Sequence, residues 1–232
     1  MDSIRLSKRL GAIAGLVPKG ASVIDVGTDH GHIPVFLAQN GVFERIIASD
    51  INDGPLASAR DSAAEHGALD KIEFVKADGL AIDGIRGIDV VILSGMGGEL
   101  IASIVDGAKW LKEGQTLLIL QPQSKAGHLC SYLAENGYKI TDALLVRDSG
   151  KLYSVMTARA SPRLDRAPSG ILTLLSALQD RRDPLLPEFL DEIIARETKA
   201  ERGRRQAKDY DETSDSDLLL ELRRIREGTE KW

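Results

Sequence analysis

Ten residues of this chain, DVGTDHGHIP from Asp25 to Pro34, hold two acids, two histidines and two glycines directly behind the apolar run Val23, Ile24. A glycine at position 27 lets a chain leave a strand sharply and bring its backbone close to a ligand, while a following helix offers free N–H groups. Gly27 is followed by Thr28, Asp29 and His30 before Gly31, so the dinucleotide fingerprint GxGxxG is absent. An acid in such a turn opposes a pyrophosphate and favours a cation. S-adenosyl-L-methionine carries a sulfonium and an ammonium, so Asp25 and Asp29 tilt the turn from NAD toward a methyl donor. Taken alone, Asp29 fits a plain capping acid equally well.

Further polar residues recur after each apolar run. Asp50, followed by Ile51, ends ASD and can accept both hydrogen bonds of a ribose diol. Asp78 and Gly79 in ADGL can receive an adenine amino group, although a solvated turn acid is the simpler account of Asp78 by itself. Ser94, Gly95, Met96, Gly97 and Gly98 end the fourth run. Three glycines beside a flexible thioether allow close approach of a flat partner, or else tight packing at a helix start. Gln121, Pro122 and Gln123 end the fifth run and supply amides able to read a base edge.

The elements that must position these residues follow from periodicity. SVIDVG, RIIASD, KIEFVKA, IDVVILSG and TLLILQP read as strands, separated by helix-length amphipathic stretches, which implies a parallel sheet covered on both faces. The helices are expected to end at left-handed glycines, at Gly41, Gly67 and Gly137. KITDALLVRD and KLYSVMTARA, joined at Ser149 and Gly150, read as a terminal antiparallel hairpin. Before the sheet, residues 3–17 read as one helix with Leu6, Leu10, Ile13 and Val17 on a face and Arg5, Lys8 and Arg9 opposite. After a proline-containing linker, residues 171–178 form a short helix, broken by 183–187. From Phe189 a helical coiled-coil hairpin is expected, with Leu186, Leu190 and Ile193 set against Leu218, Leu222 and Ile225. Ser214 or Asp215 would cap its second arm. The expected division is a nucleoside-binding domain over 1–160 and a helical domain over 161–232.

Net charge is −5 and 43% of residues are hydrophobic, values of a folded globular chain without a global pull toward phosphate. One cysteine, Cys130, suits a reducing compartment, hence the cytoplasm. The first ten residues lack the apolar core of a secretory signal, and no apolar run reaches the ~20 residues of a membrane span. His30 and His32 lack an evident third ligand, so no metal is expected.

"LSKRL", "DVGTDHGHIP", "ASDINDGP", "ADGL", "LSGMGG", "LILQPQ" and "SGKLYSV", taken in order from Leu6 to about Ala158, resemble the TrmK family. These are bacterial methyltransferases acting on N1 of an adenine in the D arm of tRNA, at position 22. The resemblance implies a class I (Rossmann-like) α/β methyltransferase sheet, S-adenosyl-L-methionine as cofactor, and a C-terminal helical domain that helps hold tRNA. It places Gly27 and Asp29 in the donor loop, Asp50 at the ribose, Asp78 near the adenine, and Ser94 to Gly98 where other base-N methyltransferases often carry Asn or Asp followed by two prolines. Together with the turn residues read above, the expected donor contacts are Asp25, Gly27, Thr28, Asp50, Ile51, Asp78, Gly79, Ser94, Gly95 and Met96. Thr28, Gly31, His32 and Gln123 depart from the family's Ser-Asp-His-Ala-Tyr and Gln-Pro-Asn patterns. For catalysis, Asp29 is expected to take an N6 proton and His30 to orient it or the base. Substrate contacts are expected from Arg5, Lys8, Arg9, Gly97, Gly98, Gln121, Pro122, Gln123, Arg202, Arg204, Arg205 and Lys208, although RGRRQAK also fits a solvated helix face. The competing readings are a small-molecule methyltransferase, a noncatalytic nucleotide or RNA-binding module, and a nicotinamide dehydrogenase.

Overall fold

The computed structural model describes residues 3–41, 43–161, 170–205 and 215–229. Two compact units divide the chain, Met1–Ala177 and Leu178–Trp232. The first is built on a seven-stranded sheet: β1 Ser22–Val26, β2 Arg45–Asp50, β3 Glu73–Lys76, β4 Val90–Gly97, β5 Leu117–Ser124, β6 Tyr138–Asp148 and β7 Lys151–Ala160. Their order is β3-β2-β1-β4-β5-β7-β6. The first five run parallel, while β7 lies antiparallel to β5 and β6 antiparallel to β7. The β6–β7 turn has Ser149 at φ 49° and Gly150 at φ 79°, the two left-handed residues that a twisted two-residue hairpin requires.

Central strands are apolar on both faces because helices cover both. Val23, Ala48, Ile92 and Ile119 point to one side, where they join Ile13 of α1 (Lys8–Ala14), Val35 and Leu37 of α2 (His32–Asn40) and Ala63 of α3 (Asp53–Glu65). The alternate residues Val91, Leu93, Leu118 and Leu120 are buried on the other side, where α4 (Gly98–Gly107) and α5 (Ala126–Glu135) pack on β4 and β5. Each such fully buried aliphatic side chain contributes about 1.5–3 kcal/mol. β6, at the sheet edge, instead alternates buried and open positions over its first residues.

Several expected boundaries move, each for a local reason. The first helix covers Lys8–Ala14 and not residues 3–17: Ser7 is its N-cap, its Oγ accepting the Leu10 N–H, which leaves Arg5 and Leu6 outside. β3 begins at Glu73 because Leu69–Lys71 forms a 3-10 turn. Gly67 and Gly137 are left-handed as expected, at φ 65° and 81°, but Gly41 is extended at φ −155° and needs no glycine on that ground.

In the C-terminal region, α6 spans Ile171–Arg181, α7 Leu186–Arg205 and α8 Asp215–Thr229. α7 starts at Leu186, ahead of the expected Phe189. Pro187 falls in its first turn, where a missing N–H breaks no helical bond, and Asp183 Oδ1 accepts the Leu185 N–H at 2.9 Å. α7 and α8 pack together through buried Leu186, Leu190 and Ile193 against Leu219 and Leu222. Leu218 and Ile225, expected in this seam, are half-buried, so the face of α8 is turned by one residue toward Leu219. An Arg226–Asp191 ion pair at 2.9 Å joins the two helices. Ser214 as a cap lies outside the described residues.

Candidate active site

On the helix-covered face that carries Ala48, Ile92 and Ile119, the apolar rows give way to polar ones at the C-terminal edge of the sheet. Asp25 pairs in register with Ala48 and Ile92, Asp50 lies one same-face step beyond Ala48, and Ser94 pairs with Gln121 one step beyond Ile92 and Ile119. Strand alternation alone therefore brings Asp25, Asp50, Ser94 and Gln121 onto one face. Asp25 is only 4% exposed, and its Oδ2 accepts the Thr28 hydroxyl at 2.7 Å. Burial pushes its carboxyl up to about 7, against the pull of Thr28 and with the help of the Asp50 charge. Asp50 is also buried, and its Oδ1 accepts the Asn52 N–H at 3.0 Å. The next residue, Ile51, is an aliphatic side chain left 53% exposed beside that acid.

The turn after β1 is anchored by its backbone: the Gly27 and Thr28 N–H groups both donate to Ser49 O. Gly27 has φ 67°, and a Cβ there would sit 2.3 Å from Met96 Cε, so the thioether lies across the turn. Gly31, at φ 68°, meets α3 closely enough that a Cβ would come 2.9 Å from Ala59 Cβ. Between them Asp29 takes φ 51°, an unusual conformation for a residue with a Cβ. Asp29 Oδ1 lies 3.7 Å from His30 Nε2, too far for a hydrogen bond, and both side chains are open to solvent. His30 and His32 stack, with ring centroids 5.6 Å apart and planes at 23°. Burial and the neighbouring His30 lower the His32 pKa.

A β-bulge shapes the opposite side. The β4–β5 register shifts between Ser94 and Met96, which pair with Gln121 and Pro122, so Gly95 is the extra residue, at φ 77°. Gln121 is fully buried, and its Oε1 accepts the Gly95 N–H at 3.2 Å. The same oxygen accepts from Arg9 Nη1 at 2.7 Å, while Nε2 donates to Pro122 O at 3.1 Å. Sequence placed Gln121 at a base edge; with both lone pairs of Oε1 committed, it caps the bulge instead. Gln123 is the exposed amide, with Nε2 3.5 Å from where a Gly95 Cβ would be. Gly98, also expected at the substrate, is buried: a Cβ would meet Lys125 O at 2.4 Å, so close packing between the ends of β4 and β5 demands glycine. Gly97 lies beside Ser124, and Pro122 is buried.

Arg9 is brought here by α1. Its N–H donates to Asp148 Oδ2 at 3.2 Å, and its guanidinium carbon stands 5.5 Å from the Tyr153 ring centre. The Ser7 hydroxyl and then this N–H hold the Asp148 carboxyl below the usual range. Asp148 and Tyr153 were not singled out from sequence, although Tyr153 falls within the SGKLYSV stretch. Asp78 is exposed just after β3, and Gly79, at φ 58°, packs under Ile104. Arg5, Lys8 and Arg202 are exposed. The side chains of Arg204 and Arg205, and Lys208 entirely, lie outside the described residues. Among the described residues no three His, Cys, Asp or Glu side chains converge to hold a metal, and no helix is long and apolar enough to cross a membrane.

A β3-β2-β1-β4-β5-β7-β6 sheet with acids ending β1 and β2 defines a class I methyltransferase. The sequence matches the methyltransferase domain family over residues 6–156. It is 36% identical over 171 residues to the tRNA (adenine(22)-N(1))-methyltransferase of Bacillus subtilis (strain 168), covering 74% of this chain and 71% of that one. The crystal structure of the B. subtilis m1A22 tRNA methyltransferase TrmK superposes with a TM-score of 0.78, at 28% identity over 98% of each chain. A Streptococcus pneumoniae protein solved in complex with S-adenosyl-L-methionine gives a TM-score of 0.78 at 26% identity, over 97% of this chain and 99% of that one. The chain belongs to the TrmK family of methyltransferases.

Proposed function

We infer that this protein transfers a methyl group from S-adenosyl-L-methionine to N1 of the adenine at position 22, in the D arm of tRNA. The observation that carries the reading is the buried Asp25–Asp50 pair at the parallel-sheet edge, in a chain 36% identical to a tRNA (adenine(22)-N(1))-methyltransferase. The residues present fit the donor. Asp50 offers a carboxylate for a ribose diol, exposed Ile51 an apolar surface for a purine, and Asp78 an acceptor for its amino group. Asp25 supplies anionic charge toward the donor's cationic amino-acid end. Gly27 leaves room for the Met96 thioether to lie against the turn. S-adenosyl-L-methionine supplies an electrophilic methyl on a positively charged sulfur.

Neutral adenine already carries a lone pair at N1, so the protein's task is alignment and charge stabilisation more than proton removal. As the new N–C bond forms and the S–C bond breaks, one positive charge passes from sulfur to base, and the acids of this edge serve both ends of that passage. Asp29, beside His30, accepts an N6 hydrogen bond or proton and so holds charge next to the methylated ring. Because N1 is used in base pairing, the target adenine must be unpaired or extruded, and recognition rests on RNA shape and phosphates. Arg5, Lys8 and the basic residues of α7 are the phosphate contacts on this reading, with residues 161–232 as the tRNA-holding domain. A tRNA substrate and a single buried cysteine suit the reducing cytoplasm.

The test uses labelled S-adenosyl-L-methionine and unmodified tRNA. Label enters the tRNA and is lost when adenine 22 is replaced, and S-adenosylhomocysteine, but not NAD, raises the melting temperature. No stabilisation by S-adenosylhomocysteine overturns the assignment.

A further inference from the structure

The cations at the C-terminal sheet edge are not equivalent. Lys76 pairs with Asp53 and Lys125 with Glu99, each at 2.6 Å. Arg9 is half-buried, yet among the described residues no carboxylate lies within ion-pair distance of its guanidinium. Asp148, the acid at its own end of α1, takes the Arg9 backbone N–H, the Ser7 hydroxyl and the Ser149 hydroxyl, and the Arg9 charge, out of ion-pair range, is the least of the influences on it. Of the guanidinium's N–H donors the structure engages Nη1, toward Gln121 Oε1.

The side chain is nevertheless held in place. The Tyr153 ring supports it, and Gln121, buried and pinned by Gly95 and Pro122, fixes one prong of the fork. Nη1 lies 3.9 Å from where a Gly95 Cβ would be, so the guanidinium borders the β4 bulge at the mouth of the site. A fixed, partly desolvated guanidinium with spare parallel donors is complementary to two oxygens of one anion. It is the wrong charge for the methylated base, which leaves as a cation.

We propose that Arg9 is an oxyanion-binding residue of the active site, its fork set by Gln121 and Tyr153 to grip a carboxylate or phosphate beside Gly95. The assignment rests on the methyltransferase reading, whose two substrates each present such a group: the α-carboxylate of the donor's methionine and the RNA phosphates flanking the target adenosine. Binding at either draws on the same chemistry, a bidentate charge-assisted pair.

The experiment compares the full-length wild type with Arg9→Met, which keeps the apolar stem, and Arg9→Lys, which keeps the charge without the fork. Three affinities are measured: S-adenosylhomocysteine, 5′-methylthioadenosine, which lacks the amino-acid end, and tRNA between 50 and 200 mM salt. If the oxyanion is the carboxylate, Arg9→Met weakens S-adenosylhomocysteine about tenfold or more and leaves 5′-methylthioadenosine unchanged. If it is a phosphate, donor affinity holds and the slope of log K against log salt for tRNA falls by about 0.9, one phosphate contact. Arg9→Lys retains the salt slope but binds the oxyanion more weakly, and serves if Arg9→Met does not fold. Equal weakening of both nucleosides would reduce Arg9 to a prop for the bulge and overturn the proposal, as would three unchanged affinities. Wild type that binds neither nucleoside overturns the methyltransferase reading itself.

Discussion

Replacing Asp25 by asparagine removes a charge that the folded chain holds at a disadvantage. Burial, reinforced by Asp50 and opposed by the Thr28 hydroxyl, raises this carboxyl from 3.8 to about 7. The folded state therefore keeps a proton that the unfolded chain has released. Between pH 3.8 and 7 the stability contributed by Asp25 falls as pH rises, and above 7 the loss is complete. At ~1.4 kcal/mol per pKa step, the ionised carboxylate costs on the order of 4 kcal/mol at pH 8 and between 1 and 2 kcal/mol near pH 5. Asparagine has the same shape and its Oδ1 can still accept from Thr28, so Asp25→Asn is expected to be the more stable protein. Its melting temperature at pH 8 should stand on the order of 10 °C above wild type, with a gap that narrows toward pH 5. Ligand-free thermal unfolding at pH 5, 6, 7 and 8 reads this directly. A gap independent of pH, or an asparagine variant less stable at pH 8, refutes the account of Asp25. The same variant should bind S-adenosylhomocysteine more weakly, since the stability gained is the charge that the ligand's ammonium requires.

Gly27→Ala forces a Cβ to within 2.3 Å of Met96 Cε at φ 67°. The backbone strain amounts to about 1–2 kcal/mol, and the displaced Met96 should lower S-adenosylhomocysteine affinity by roughly tenfold; unchanged affinity measured by calorimetry removes this turn from the donor site. Gly31→Ala meets Ala59 Cβ at 2.9 Å and Cα at 3.2 Å, atoms of a packed helix that cannot swing away. It should destabilise the fold by about 1–3 kcal/mol in urea, and a wild-type midpoint would contradict the close α2–α3 contact. Asp29→Asn, at an exposed carboxylate 3.7 Å from His30, is expected to lower kcat by about 10–100-fold with S-adenosylhomocysteine affinity intact. A kcat equal to wild type takes Asp29 out of the chemistry.

The sheet was legible because its strands are short apolar runs closed by acids and glycines, a pattern set by burial on both faces. Asp25, Asp50 and the bulge glycines could be placed at one edge for the same reason, since parallel strands all end there. What sequence misread depends on where a side chain's hydrogen bonds go. Gln121 and Gln123 are two residues apart and chemically identical, yet one is consumed by the Gly95 N–H and Arg9 while the other is open. That distinction exists only once the bulge has set the β4–β5 register. In the α8 seam Leu222 is buried as expected, but Leu219 and not Leu218 is the buried residue one turn earlier, because a 3.5-residue repeat read over three positions does not fix the face of a 3.6-residue helix. The contribution of the β6–β7 hairpin was invisible, because nothing local in Asp148 or Tyr153 indicates that the chain's first helix will dock there.

The two signs of charge at this edge have separable tasks. A methyl transfer from a sulfonium conserves charge, so a site that stabilised only the donor would resist the reaction by holding the cation at sulfur. Asp25 and Asp50 are buried at the β1–β2 end, while Asp29 is exposed on the turn after β1, so negative charge extends beyond the two acids proposed to hold the donor. Arg9 instead reaches Gln121 of β5 and the Gly95 bulge of β4, where a cation would hold the proposed oxyanion apart from the acids of β1 and β2. Moving positive charge into the Gly27 turn should therefore damage donor binding. An Asp29→Lys substitution should also slow methyl transfer more than Asp29→Asn, by opposing the cation forming on the base. Single-turnover rates with saturating donor separate the two effects, and equal rates for lysine and asparagine would show that the developing charge is not felt at position 29.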